Sequence, residues 1–299
     1  MALKHGYRRN QLVSELMSQV RASRTEQFIG NLAIVHVPSR EQPELLPMQQ
    51  RIIVGAEKRA GDLGFQIGAF TLAGGENAPA LARILRARGI IGVIFLQANS
   101  NDITASFPSG DFAVVQVDYD SPIPLQHTIS LDHHLTLIAA LTRLRGLGYG
   151  RIGLFIERHK DDRLMNKWSA AFRSFQENQS GIGEVPVLKV DHLDGNVFNA
   201  WCSRHKPDLV VGHVDGALAW LKRAGRDVPA DVGFFNLNWN ERTHPCAGLD
   251  LRPEMHGSVA VETLAAQVQR SERGLPVDPR IVMFNGLWVD GPTLRTLPA

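Results

Sequence analysis

From residue 29 onward, short β-branched or apolar runs alternate with amphipathic stretches, and this alternation constrains the fold more than any other feature of the sequence. Residues 29–37, 65–72, 90–96, 112–117, 151–156, 185–190, 208–212, 232–237 and 280–284 read as strands. Between them, apolar residues recur at helical spacing over 47–63, 79–88, 135–147, 163–178, 197–204, 216–224 and 253–270. Met48, Ile52, Ile53, Ala56, Ala60 and Leu63 form one such face, and Leu164, Trp168, Ala171, Phe172 and Phe175 another. Gly64, Gly89 and Gly148 stand at helix stops. Strand–helix alternation of this kind predicts an α/β fold with mainly parallel sheets. Gly61-Asp62-Leu63-Gly64-Phe65 recurs in type as Arg145-Gly146-Leu147-Gly148-Tyr149, 84 positions later. A recurrence near half the chain length favours two similar lobes over one extended sheet, although helix-to-strand loops resemble one another in any α/β chain.

The charge is unevenly spread. The net of +2 comes from 32 Lys+Arg against 30 Asp+Glu. Residues 1–26 hold five basic residues (Lys4, Arg8, Arg9, Arg21, Arg24) and two acidic ones (Glu15, Glu26), a local +3 that leaves the rest at −1. Such an arm fits a polyanionic partner or an ordinary solvated terminus. Within it, Leu12, Val13, Leu16, Met17 and Val20 share one face of a short helix begun by Asn10, for burial on a partner, a second copy or the protein's own core. No apolar run approaches the ~20 residues of a membrane span. Residues 1–10 lack the apolar core of a signal peptide. Cys202 and Cys246 have no CxxC spacing, so the expectation is a reduced, cytoplasmic chain without membrane partners.

Chemistry of the usual kinds is missing from the sequence. There is no phosphate-binding glycine loop after a strand, no nucleophile elbow and no HExxH. His133 and His134 are adjacent, so on a helix they point about 100° apart and chelate poorly. Asp118-Tyr119-Asp120 and Asp161-Asp162 lie near predicted strand ends, where open α/β sheets bind ligands. Either pair suits magnesium or hydroxyl groups, and Asp161-Asp162 suits a helix first turn as well. No catalytic residue, metal site or cofactor is expected.

Several segments resemble, in order, the LacI/GalR family of bacterial transcription regulators. His5-Gly6-Tyr7-Arg8-Arg9-Asn10-Gln11-Leu12 through Leu16 is similar to the turn and hinge helix that end the family's DNA-binding domain. Ile129-Ser130-Leu131-Asp132-His133-His134, the helix after it and Gly148-Tyr149-Gly150-Arg151-Ile152 match the family's VxxDN…LGHxxI stretch. Val214-Asp215-Gly216-Ala217 and Val228-Pro229-Ala230-Asp231-Val232 fall where the family has NDxxAxG and VPxDV. The resemblance covers nearly the whole chain.

It implies two similar lobes, each a parallel sheet flanked by helices as in type I periplasmic binding proteins, preceded by a short hinge helix. By this resemblance residues 1–28 are a remnant of the DNA-binding domain and hinge. Residues 29–129 plus 253–273 form the N-terminal lobe, and 130–252 plus 274–299 the C-terminal lobe. Only six residues precede Tyr7, too few for a helix-turn-helix, so the expectation is a truncated chain with little sequence-specific DNA binding of its own.

The resemblance further implies a homodimer that takes a small polar effector, a carbohydrate, between its lobes and so controls operator DNA. Tyr7, Arg8, Asn10 and Leu16 become the DNA-binding residues, with Leu16 the minor-groove wedge. Asp120, Arg163, Trp168, Asp215, Asn238 and Trp239 become the effector-binding residues. The match has departures: Asn238 stands where the family has an aspartate, Val214 where it has an asparagine, and Lys167 where it has a glycine before the aromatic Trp168. Asp215 also suits a helix cap, and both tryptophans suit core packing. Two other readings share the fold: a transporter's solute-binding protein, and a sugar-acting enzyme using Asp118 and Asp120.

Overall fold

A computed structural model describes residues 28–38, 44–73, 77–96, 105–118, 124–179, 181, 183–214, 216–240 and 245–296. The expectations for Tyr7, Arg8, Asn10, Leu16, Asp120 and Asp215 lie outside the described residues.

The alternation in sequence becomes two six-stranded sheets. β1 (Gly30–His36), β2 (Phe65–Thr71), β3 (Ile90–Leu96), β4 (Ala113–Val117), β5 (His127–Leu131) and β11 (Ile281–Phe284) make the first, in the order β11-β5-β4-β3-β1-β2 and parallel throughout. The second orders β12 (Leu287–Val289), β10 (Ala247–Asp250), β9 (Gly233–Asn236), β8 (Leu209–Gly212), β6 (Ile152–Glu157) and β7 (Leu188–Val190). Its strands are parallel except that β12 runs against β10.

Helices cover both faces of each sheet. α1 (Pro47–Asp62) and α8 (Pro253–Gln269) bury Ile52, Ala56, Ala60, Ala260, Val261 and Leu264 on one face of the first sheet. α2 (Ala78–Ala87) sets Leu81, Ala82 and Leu85 on the other. On the second sheet, α3 (His133–Gly146) and α5 (Lys167–Asn178) supply Leu137, Leu141, Trp168, Phe172 and Phe175. α6 (Gly195–His205) and α7 (Ala217–Arg223) supply Phe198, Trp201, Cys202, Ala217 and Leu221 to the opposite face. Pro47 opens α1 where its missing N–H costs no hydrogen bond. Asp132 and Asp194 cap α3 and α6 by accepting from Leu135 N at 2.9 Å and from Val197 N at 2.9 Å.

α1 and α8 touch backbone to backbone. A Cβ on Gly55 would lie 2.0 Å from Glu254 O, and one on Gly257 2.0 Å from Ile52 O. Only glycine permits that approach, which brings α8 against the first sheet although it follows β10 of the second.

The chain passes between the sheets three times, at Asp132, at Leu251–Arg252 and at Asn285–Gly286. The crossings are bonded to one another. Asp132 N donates to Phe284 O at 2.9 Å, Gly286 N to Thr136 Oγ1 at 3.0 Å, and Arg252 Nη1 to Asn285 O at 3.2 Å. The third crossing thus falls later than the 273/274 boundary read from sequence. After α8 the chain stays on the first lobe, where Gly274 N donates to Phe112 O and Arg273 Nη1 to Asp111 O, before β11 pairs with β5.

Three strands escaped the periodicity. β5 (HTISL) alternates polar residues although every one is buried, and β10 (AGLD) and β12 are short. The run predicted over 185–190 shrinks to Leu188–Val190, since Pro186 has no N–H for the ladder. The helix predicted over 163–178 begins four residues later than expected. α4 (Arg158–Asp162) ends in a turn where Met165 (φ 53°) and Asn166 (φ 61°) are left-handed, and α5 begins at Lys167. The recurring glycine segment is not a lobe repeat. The first copy leads into β2 and the second toward β6, and the sheet orders pair β6 with β1 instead. What the copies share is a left-handed glycine at the helix stop, Gly64 (φ 79°) and Gly148 (φ 84°). Among the described residues no helix is long and apolar enough to cross a membrane.

Candidate effector site between the lobes

Parallel strands expose their carboxyl ends together, and the side chains that follow those ends form a site. β4 is followed by Asp118, a non-glycine residue at φ 59° whose N–H donates to Ile129 O at 2.7 Å. That conformation turns its carboxylate off the first sheet toward the second. Arg163, from the turn after α4 in the second lobe, meets it with Nη1 2.8 Å from Asp118 Oδ2. The Asp118 side chain is 7% exposed and that of Arg163 32%.

Around this bridge stand aromatic and imidazole rings. His133 opens α3, His213 follows β8, and His256 lies in the first turn of α8 with Nδ1 3.0 Å from Arg252 O. Trp168, wholly buried in α5, meets His133 edge-on at 4.9 Å between ring centroids and His213 at 5.6 Å. Three buried ring nitrogens here lack a hydrogen-bond partner among the described residues: Trp168 Nε1, His133 Nδ1 and His213 Nε2. Burial of a polar atom without a partner costs about 1–3 kcal/mol, so three in one cluster call for something to bind them.

The electrostatics keep the imidazoles neutral. Burial pushes the His133 imidazole down to about 4, against the pull of the Asp118 carboxylate, and His213 down to about 3, with Lys160 adding to the effect. His256 is lowered as well, chiefly by burial. Burial opposes ionisation of Asp118, but Arg163, then His133 and His256, outweigh it and hold its carboxyl at about 2. Near neutrality the site offers one carboxylate, one guanidinium, neutral imidazoles and an indole N–H. That set can donate to and accept from hydroxyl groups. No group of three or more His, Cys, Asp or Glu suited to a metal occurs among the described residues.

Of the residues read from sequence, Arg163 and Trp168 come together here. Asn238 and Trp239 follow the carboxyl end of β9, the same end of the sheet as His213. Asn238 is exposed, its N–H bound to Asn236 Oδ1 at 2.8 Å. Trp239 packs partly against the second-lobe core, its N–H donating to Leu249 O at 2.9 Å. Sequence reasoning missed His213 and His256 and read His133 as a surface or helix-start histidine rather than a metal ligand; it does open α3. Asp118 was noted only as one of a pair of acids at a strand end, and its neighbour Asp120 was the one read as effector-binding. Asp161 lies in the first turn of α4, as the helix reading of Asp161-Asp162 expects, and is fully buried, with Oδ2 on Lys189 at 2.9 Å and Oδ1 accepting from Ser169 N at 3.3 Å.

No curated protein matches the chain in sequence. Residues 141–283 match the family model of the periplasmic binding protein-like domain. The complex of the transcriptional regulator CelR with cellobiose superposes with a TM-score of 0.66 at 17% identity, over 96% of this chain and 92% of that one. The lac repressor dimer bound to operator and the anti-inducer ONPF gives 0.64 at 16%, over 97% and 100%. The transcription regulator CcpA of Lactococcus lactis gives 0.64 at 14%, over 89% and 100%. At these identities the likeness is one of fold. Residues 141–283 thus match the periplasmic binding protein-like domain model, and the chain shares the fold of these solved transcription regulators.

Proposed function

We propose that the chain is the effector-sensing and dimerising portion of a LacI-type transcription regulator, working in the cytoplasm and without catalysis of its own. A small polar molecule, a carbohydrate, binds between the lobes and controls operator DNA binding when a helix-turn-helix is present. The observation that carries this reading is the bridge from Asp118 to Arg163 beside three buried ring nitrogens that have no partner among the described residues. A polyhydroxylated ligand can satisfy those nitrogens and the remaining valences of the ion pair together. The cellobiose bound to CelR supports a sugar as the ligand class. Asn238 and Trp239, at the same end of the second sheet, extend the proposed site, as do Asp215 from the sequence match and Asp120 from its place near a predicted strand end.

Control of DNA requires the ligand to bind two arrangements of the lobes unequally, since equal affinity shifts nothing. The three bonded crossings are the place where such arrangements can differ. The reading is tested by thermal shift against a panel of mono- and disaccharides, with Arg163→Ala in parallel. The expected result is stabilisation by at least one sugar, about 2.7 kcal/mol at a hundredfold excess over Kd, and its loss in the variant. A panel without a stabilising sugar overturns the carbohydrate assignment. A sugar that stabilises both proteins equally removes Arg163 from the site.

A further inference from the structure

One charged side chain on the far edge of the second sheet touches neither the bridge nor the rings, yet it is bound to the turn that presents them. Lys189 projects from β7, and its ammonium meets Asp161 Oδ2 at 2.9 Å, Asp162 Oδ1 at 2.6 Å and Asn166 Oδ1. The Lys189 side chain is 14% exposed and that of Asp161 is fully buried. Asp161 spends its second oxygen on Ser169 N in the first turn of α5, and its carbonyl accepts from Leu164 N at 3.0 Å and Asn166 N at 2.8 Å. Between these fixed points lie Arg163, Leu164 and two consecutive left-handed residues, Met165 and Asn166. A left-handed conformation is unfavourable for a side chain as large as methionine and persists only where its surroundings impose it. The lysine supplies that imposition: its three acceptors come from both ends of the turn.

We infer that Lys189 is a positioning residue, which fixes the 161–166 turn and thereby sets Arg163 against Asp118 and Trp168 between His133 and His213. The inference rests on the reading of Arg163 and Trp168 as ligand-facing, but its test needs no ligand. Neutralising Lys189 releases the turn, and Arg163 then no longer finds Asp118 in one defined geometry.

The test is a double-mutant cycle on the bridge, Asp118→Asn and Arg163→Gln singly and together, read by urea unfolding of the whole chain. In the native background the coupling between the two residues is a factor of about 5–10 in the unfolding equilibrium constant. With Lys189→Met it falls to about 1, and with Lys189→Arg, which can still bridge the acceptors, most of it returns. Because Lys189→Met strands a buried carboxylate, the cycle is repeated in Lys189→Met with Asp161→Asn, where the only carboxylate left without the lysine is the half-exposed Asp162, and the coupling is again lost. An undiminished coupling in either neutralised background overturns the inference. So does failure of both to fold while Lys189→Arg folds, which assigns the lysine to the stability of the lobe. Failure of every sugar to bind overturns the functional reading and leaves this cycle intact.

Discussion

Arg163 Nη1 lies 2.8 Å from Asp118 Oδ2, and this hydrogen-bonded ion pair joins the two lobes at the carboxyl ends of their strands. Asp118 reaches it from a left-handed backbone position at the end of β4, and Arg163 from a left-handed turn between α4 and α5. Local backbone geometry on each side is thus committed to one contact between sheets. Asp118→Asn is expected to lower stability by about 1–2 kcal/mol, since one carboxylate is lost and the partly exposed guanidinium recovers water. Urea unfolding checks this, and no change in midpoint would make the bridge incidental.

Trp168 separates packing from binding. Its ring is wholly buried, yet Nε1 has no partner among the described residues, so the indole N–H gains no hydrogen bond from them. Trp168→Phe keeps most of the ring and removes that donor. The expected stability change is about 1–2 kcal/mol, the cost of a smaller ring in a packed site, while affinity for a bound sugar falls about tenfold. A variant that unfolds early but binds normally would make Trp168 a core residue alone.

Acid should weaken the fold through the imidazoles. His133 and His213 titrate at about 4 and about 3 when folded, below the ordinary value of about 6.5. The unfolded chain therefore takes up their protons first. Their stabilisation is complete above pH ~6.5 and is lost as pH falls toward the folded values. Asp118, held at about 2 against 3.8, keeps its contribution until pH drops below 3.8, so the histidines set the slope above that. The urea midpoint is expected to decline from pH 7 to pH 4.5, less steeply in His213→Gln. A flat profile would mean that the histidines are not effectively buried.

Two glycines in one structural unit make opposite predictions. Gly257→Ala places a methyl 2.0 Å from Ile52 O, where α8 and α1 touch, and is expected to cost about 3 kcal/mol. Gly61, in the last turn of α1, has nothing within 4 Å of an added Cβ, so Gly61→Ala is expected to stabilise by about 0.5–1 kcal/mol. Thermal unfolding of the two variants checks the closeness of the helix pair.

Much of the architecture was legible because parallel strands buried on both faces leave unmistakable apolar runs, as in Ile90–Leu96. β5, with three of its five residues polar, hid from that pattern, and its place was visible only through the match around Asp132. The last crossing was misplaced because residues 274–280 carry no periodicity. Its position depends on β11 finding β5, a pairing across some 150 residues. The break after Asp162 could not be read from helix spacing, since it is imposed by a lysine on β7. The site was half legible for the same reason. Arg163 and Trp168 belonged to a recognisable stretch, whereas His213 and His256 gain meaning only when the two sheets face each other.

Calorimetric titration of a stabilising sugar into the native chain, Trp168→Phe and Arg163→Ala tests the central claim most directly. The account predicts one site per chain, with affinity about tenfold weaker in each variant. Unchanged affinity in both variants, with each still folded, would contradict a ligand site between the lobes at Asp118, Arg163 and Trp168.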